Sequence, residues 1–357
     1  MKIVHLVESF GGGVYSFLKD LCNSQALDDE VIVVYSKREQ TPDNFQDDFN
    51  KNVKLINIQM KREINVQQDL ISLFKVYNVL KEVSPDIIHL HSSKAGVLGR
   101  IAASLLNYNH KAVFYNPHGY GFLQQNISKL KRYMYFYIEK IVANINGTII
   151  AVSKGEYEES KKLTNRVLRI DNAINTDDLN KLIKDKVKTK DIKIGTIGRI
   201  SHQKNPQLFN EIAKRFSQYE FIWIGDGDLK HELNSPNISV TGWLNRESAV
   251  ELLNSVDIYI QTSLWEGLPI ALLEAMYMQK PVLVTNVIGN KDVIENNING
   301  FICTNIEEFY YSINLLLGNS DLYNEVAQNA FNFILENHSL RKMVEKYNKA
   351  YTGQEQC

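Results

Sequence analysis

The chain has 357 residues, 44% hydrophobic and 23% charged, with 40 Lys and Arg against 41 Asp and Glu. Such a length exceeds what one core usually organises, so two domains of roughly 150–200 residues are expected, and the composition excludes a disordered chain. A formal net charge of −1 gives no electrostatic footprint for nucleic acid; no nucleic-acid partner is expected, and any cationic site must be local.

Strand-like and helix-like segments alternate from the start. Residues 3–7 (IVHLV) read as a first buried strand, because Glu8 ends the apolar run too soon for a signal-peptide core. Gly11-Gly12-Gly13 follows, then helical spacing at Val14, Phe17, Leu18 and Leu21. Residues 31–35 and 53–58 read as strands, and 66–83 as a helix through Val66, Leu70, Leu73, Val76 and Leu80, stopped by Pro85. A strand at 86–91 leads to a helix at 94–106 whose Gly96, Gly99, Ala102 and Ala103 permit close packing on a sheet. Strand 111–116, helix 127–144 and strand 148–153 complete this series.

A stretch rich in Lys and Asp at 170–190 marks a joint. Beyond it, strands are expected at 192–198, 220–225, 238–242, 257–263 and 281–285, the last of the chain, with helices at 205–216, 245–255, 269–278 and 305–317. Helices at 320–335 and 339–351 follow. Two βαβ series predict an α/β protein with two open, mostly parallel sheets, one over 1–170 and one over 171–338. No apolar run approaches the roughly 18–20 residues of a membrane span. Cys22, Cys303 and Cys357 are odd in number, far apart and without a CxxC pair. Neither a disulfide framework nor a zinc knuckle is supported, and a reducing, cytoplasmic setting fits.

Ligands in open parallel sheets bind beyond the carboxyl ends of the strands, so motifs that directly follow strands carry the chemistry. In LWEGLPIALLEAM (264–276), Glu266 and Glu274 flank Gly267, Leu268, Pro269 and Ile270. Pro269 suits a first helical turn, whose backbone N–H groups at a positive dipole end favour a diphosphate. The same segment is also consistent with a capped core helix. In IGRISHQKN (197–205), Arg199 and Lys204 share one post-strand loop and could neutralise a diphosphate, or form a solvated basic loop. Gly11-Gly12-Gly13 lacks the last glycine of GxGxxG, Ser16 standing there, and strand 31–35 is not followed by an acidic residue, so a dinucleotide site is weakly supported. His118 in YNPHGYGF sits between a strand and glycines, placed to hydrogen-bond a sugar or to serve the fold. IGDGDL (224–229) suggests a turn, and TGWL (241–244) a loop whose Trp243 is expected to be buried; Ser263 could assist the acidic motif. The segment 127–142 mixes Lys129, Lys131, Arg132 and Lys140 with Tyr133, Tyr135, Phe136 and Tyr137, a composition suited to a membrane interface or to a core helix with a charged start.

Four features in order resemble glycosyltransferase family 4: the Gly-rich first loop, the HG at 118–119, GR-x4-K at 198–204, and E-x7-E at 266–274. The resemblance runs from Gly11 to about Gly300. It implies a retaining enzyme of GT-B architecture: two Rossmann-like domains with parallel sheets facing a central cleft, and a final helix, within 339–357, that packs back on the first domain. It implies that Arg199 and Lys204 clamp the donor diphosphate, that Glu274 accepts from the ribose, and that Glu266 lies near the donor sugar. Backbone groups of Gly267, Leu268, Pro269 and Ile270 would face sugar and phosphate, and the backbone of Leu244 the base. Gly12 and Gly13 would approach the donor phosphates or the acceptor, and His118 the transferred sugar.

No cofactor is expected, the nucleotide-sugar being a substrate, and no metal, because Asp226 and Asp228 sit in a turn that resembles the family's GDG. Cations and helix N–H groups would then stabilise the leaving diphosphate. A UDP-sugar donor is the default. The expected acceptor is a saccharide, polyprenyl-diphosphate-linked, in bacterial capsule, exopolysaccharide or O-antigen assembly. Richness in Lys, Asn and Ile suits an AT-rich bacterial genome. The expected location is the cytoplasm, peripheral on the inner face of the cell membrane through 127–142. Two rivals remain at this point: a UDP-sugar 2-epimerase of the same fold, and a non-catalytic nucleotide-binding partner of a polysaccharide assembly complex.

Overall fold

The computed structural model describes residues 1–61, 63–183 and 191–354. Part of the expected joint, 184–190, and Cys357 lie outside the described residues. The chain forms two compact units, Met1–Asn172 with Leu340–Cys357, and Ala173–Ser339.

The first unit runs β1 (Lys2–Phe10), α1 (Gly12–Gln25), β2 (Glu30–Lys37), β3 (Lys54–Asn57), α2 (Val66–Val83), β4 (Ile87–His91), α3 (Ser93–Leu105), β5 (Val113–Asn116), α4 (Lys129–Ile145), β6 (Thr148–Ala151), α5 (Lys154–Lys161) and β7 (Val167–Arg169). The second runs α6 (Thr176–Leu182), β8 (Lys193–Ile197), α7 (Pro206–Arg215), β9 (Glu220–Ile224), β10 (Ile238–Val240), α8 (Arg246–Ser255), β11 (Ile258–Gln261), α9 (Ile270–Tyr277), β12 (Val282–Thr285), β13 (Phe301–Cys303), α10 (Ile306–Gly318) and α11 (Ser320–Asn337). The last helix, α12 (Leu340–Tyr351), belongs to the first unit and packs on α1.

The first sheet has the order β3-β2-β1-β4-β5-β6-β7 and the second β10-β9-β8-β11-β12-β13. Every pairing is parallel. In each sheet the first strand of the unit, β1 or β8, is where the order reverses, and the crevice beyond its carboxyl end is the expected ligand position.

Three details depart from the sequence reading. The strand at 281–285 is not the last, because β13 pairs beside it. The joint holds α6, capped by Asn175 accepting from the N–H of Asp178. Helix α5 and strand β7 also escaped notice. Each of these four elements is too short for a hydrophobic period to register.

Alternation along the strands sorts the first core. Val4, Leu6, Ile88, Leu90, Val113 and Tyr115 point to the side where α2, α3 and α4 lie next to one another. The intervening residues His5, His89 and His91 turn to the opposite face, towards α1 and α12. Helix α4 buries only Glu139, Val142 and Ala143. Its Leu130, Tyr133, Met134, Tyr137, Ile141 and Ile145 are exposed, and so are Val66, Leu70, Ile71 and Phe74 of α2.

Helix α3 approaches its sheet closely enough that a Cβ on Gly96 would stand 2.4 Å from the Tyr115 ring. That ring cannot retreat: its hydroxyl donates to Glu139 at 2.9 Å, and Arg100 lies 4.2 Å above its centre. Ala gains about 1 kcal/mol of helix propensity over Gly, but overpacking costs about 1–3 kcal/mol against a pinned ring. Gly96→Ala should therefore lower stability by about 1 kcal/mol or more in urea unfolding, whereas a gain in stability would show that α3 has room to move.

Candidate functional site

In the second unit, β8 ends at Gly198, whose φ of 145° only glycine adopts readily. The next strand ends in the Gly225-Asp226-Gly227 turn, and the two loops lie against each other. A Cβ on Gly225 would come within 2.3 Å of the Gly198 carbonyl oxygen, and one on Gly227 within 2.2 Å of the Ile200 oxygen. Ile200 N–H donates to the Asp226 carbonyl at 2.8 Å, and Trp223 Nε1–H to the Gly198 carbonyl at 2.8 Å. The glycines of GDG are thus required for packing, and they fix the path of the loop that carries Arg199 and Lys204.

That loop also joins the acidic motif. Lys204 Nζ lies 2.7 Å from Glu266 Oε1, with the carboxylate side chain 7% exposed. Gln203 Nε2 donates to the Trp265 carbonyl at 3.0 Å and to Glu266 Oε2 at 3.2 Å. Thr262 Oγ1–H donates to the Lys204 carbonyl at 2.7 Å, and Leu264 N–H to the Gln203 carbonyl at 2.8 Å. Pro269 caps α9 without a side-chain bond. The N–H groups of Ile270 and Ala271 have no acceptor among the described residues, as expected for a first helical turn. Gly267, Leu268, Pro269 and Ile270 are all buried, so only their backbones can meet a ligand. Ser263 Oγ, also buried, has no partner among the described residues.

Glu274 is buried one turn into α9, and Arg246 donates to its Oε1 at 2.5 Å. The buried Tyr259 has its phenol held well above the usual range, by burial first and then by the negative fields of Glu266 and Glu274. Arg199 donates to Asp228 Oδ2 at 2.7 Å. Asp226 accepts from the Gly227 N–H at 2.9 Å and lies 3.9 Å from Lys230. Leu244 is 39% exposed. Trp243, expected in the core, is 46% exposed: it follows Gly242 at φ 76°, on the turn that leaves β10.

In the first unit Gly12, at φ 53°, opens α1, and no atom lies within 4 Å of where its Cβ would be. Gly12 and Gly13 are exposed, and no side chain caps this helix. Glu8 pairs with Arg38 at the end of β1. His118 follows β5 with φ 54°, a strained conformation for a residue with a side chain, worth about 1–3 kcal/mol. The strain is held by Glu156, whose Oε1 accepts from the Gly119 N–H at 2.7 Å and whose Oε2 accepts from the Val152 N–H at 2.8 Å.

Sequence reasoning missed what lies behind His118. Its Nε2 is 3.1 Å from His91 Nδ1, and His91 Nε2 is 3.0 Å from His5 Nδ1. His5, His89 and His91 bring ring nitrogens within 4.8 Å of one another, close enough to meet at a metal ion. Yet both nitrogens of each of these three rings already have a hydrogen-bond partner in the protein, so the set is a hydrogen-bond network. The alternation DIIHLH, two histidines on one face of an interior strand, was the visible sign of it.

Comparison with known proteins places the family and the fold. Residues 11–178 match Glycosyltransferase Family 4, and residues 178–333 match Glycosyl transferases group 1. A UDP-Gal:alpha-D-GlcNAc-diphosphoundecaprenol alpha-1,3-galactosyltransferase of Escherichia coli is 30% identical over 326 residues, covering 81% of each chain. An uncharacterized 41.2 kDa protein in the cps region of Klebsiella pneumoniae is 27% identical, covering 98% of this chain and 99% of that one. Among solved structures, Anabaena Alr3699/HepE in complex with UDP and glucose shares the fold, with a TM-score of 0.81, 18% identity and 99% of each chain covered. With two parallel α/β sheets of GT-B type and these matches along its length, the chain belongs to glycosyltransferase family 4 and is a group 1 glycosyltransferase.

Proposed function

We propose that this glycosyltransferase takes a sugar from UDP and places it on a saccharide carried by a polyprenyl diphosphate, in the assembly of a bacterial surface polysaccharide. The observation that carries the donor half is the Lys204–Glu266 contact, which brings a cationic loop to the amide-rich start of α9. The activity of the Escherichia coli relative supplies the donor and acceptor classes. Arg199 exchanges its partner Asp228 for the phosphates, while Lys204, still held by Glu266, donates its remaining N–H groups to them. The first-turn N–H groups of α9, with the Gly267 and Leu268 backbone before them, complete an anion site. Charge that develops on the departing diphosphate is met by these groups, and the reaction needs no metal. Glu274, which gives one oxygen to Arg246, offers the other to the ribose, and the Leu244 backbone faces the base. Glu266 lies by the sugar. In the first unit, Gly12 and Gly13 serve the acceptor or donor phosphates and His118 the transferred sugar. Retention of configuration follows from family kinship.

Two measurements test the donor site. Arg199→Ala should weaken UDP binding at least about tenfold in calorimetry, since charge-assisted bonds are worth about 1.5–3 kcal/mol. Glu274→Ala should weaken uridine as well as UDP. Unchanged affinities would remove these residues from the site. Transfer should persist in EDTA, and a strict requirement for manganese or magnesium would overturn the metal-free step.

We further propose that α4 rests on an anionic bilayer at the inner face of the cell membrane. No described helix is long and apolar enough to cross a membrane, but α4 exposes Leu130, Tyr133, Met134, Tyr137, Ile141 and Ile145. Exposed Lys129, Lys131, Arg132 and Lys140 stand among them. Each such cation near an anionic surface is worth about 1 kcal/mol, and the apolar stripe adds its own burial. The protein should float with phosphatidylglycerol vesicles and much less with phosphatidylcholine, and Leu130→Asp with Ile141→Asp should abolish flotation. Equal recovery with both lipids, or none, would contradict the membrane contact.

A further inference from the structure

The buried polar network under His118 has a direction that can be read from one end to the other. Asn116 Nδ2 donates to the Ile150 carbonyl at 2.7 Å, which turns its Oδ1 into the acceptor for His89 Nε2 and for the Tyr347 hydroxyl at 3.2 Å. His89 Nε2 therefore carries the proton, and its Nδ1 accepts from the Tyr351 hydroxyl. With its proton committed to His89, the Tyr351 oxygen can only accept. The Gln25 Nε2 has no hydrogen-bond partner among the described residues, and its Oε1 faces His5.

From Gln25 the polarity runs outward. His5 Nε2–H donates to Gln25 Oε1 at 2.8 Å, so His5 Nδ1 is bare. His91 Nε2–H donates to that nitrogen at 3.0 Å, leaving His91 Nδ1 bare in turn. His118 Nε2–H then donates to it at 3.1 Å. His118 Nδ1 is left as an unprotonated lone pair with no hydrogen-bond partner among the described residues. Burial pushes His5 down to about 4 and His118 to about 3, and holds His89 and His91 well below the ordinary imidazole range. All four rings are neutral near pH 7, the condition under which each has a single proton to place.

We propose that Gln25, His5 and His91 are positioning residues that fix His118 as its Nε2–H tautomer, so that Nδ1 is a permanent hydrogen-bond acceptor for a sugar hydroxyl. The alternative orientation of Gln25 would reverse every bond from His5 outward and present an Nδ1–H donor instead. The hydroxyl assignment rests on the reading of His118 as a contact of the transferred sugar, but the tautomer itself does not.

Long-range proton–nitrogen NMR correlation of histidine-labelled full-length protein at pH 7 reports the tautomer without any substrate. The wild type should show His118 with bare Nδ1. His91→Leu removes the acceptor and should give mixed tautomers, while His91→Asn, whose carbonyl can stand where Nδ1 stood, should keep the Nε2–H form. In transfer assays His91→Leu should lose about tenfold or more in kcat with donor KM within twofold, and His91→Asn should recover most of that loss. Gln25→Leu should also mix the tautomers. An Nδ1–H His118 in the wild type overturns the proposal, and so does a fixed tautomer in a folded His91→Leu protein. Should His91→Leu lose its thermal transition, the wild-type, His91→Asn and Gln25→Leu spectra still decide. UDP calorimetry run alongside separates the two readings: lost nucleotide binding in the wild type would sink the donor assignment while leaving the tautomer result intact.

Discussion

The arrangement of the second unit depends on one ion pair between two loops that are 62 residues apart, Lys204 with Glu266 at 2.7 Å. A carboxylate this deeply buried cannot be left without a partner, because an uncompensated buried charge costs about 3–5 kcal/mol. The pair therefore locks the β8 loop to the start of α9. Gln203 and Thr262 hold the same junction from either side. Once that junction is set, Lys204, Glu266 and the start of α9 share one region beyond the carboxyl ends of β8 and β11. On the reading proposed above, a diphosphate entering there would meet groups whose positions are already determined, which is the condition for stabilising charge without reorganisation.

The first unit is built on a different constraint. His5, His89 and His91 lie on interior strands, where an unpaired polar group would be costly. His89 is satisfied by Asn116, which is anchored to the Ile150 carbonyl, and by Tyr351, whereas Gln25, His5 and His91 form a series that ends in the strained His118 turn. Glu156 holds that turn through two backbone N–H groups. Packing, hydrogen bonding and backbone strain thus converge on a single imidazole. The opposite face of the same sheet packs a mainly apolar core, in which Tyr115, Glu139 and Arg100 form one separate buried polar group.

Much of the fold was legible because the strands are buried on both faces and appear as apolar runs, with helices of clear period between them. Helix α2 could be placed at 66–83 from its spacing and from Pro85. The short β7 and β13, three residues each, carry too little pattern to be seen. In the site, GR-x4-K and E-x7-E could be located from spacing, but their partners could not. Asp228 beside Arg199 comes from another loop and Arg246 beside Glu274 from the start of α8, and no local pattern links them. Trp243 was misplaced because a lone aromatic residue suggests a core, whereas the turn at Gly242 leaves it on the surface. The histidine network showed only as the two histidines of the 86–91 strand, for a topological reason: His5 and His89 become neighbours only when β1 pairs with β4, and Tyr351 joins His89 across 262 residues of chain.

The most direct test is a crystal structure of the protein with UDP bound. The account predicts both phosphates lying against Lys204, Arg199 and the first-turn N–H groups of Ile270 and Ala271, with the ribose on Glu274. Density for UDP elsewhere in the second unit, with no phosphate near Lys204 or the start of α9, would contradict it.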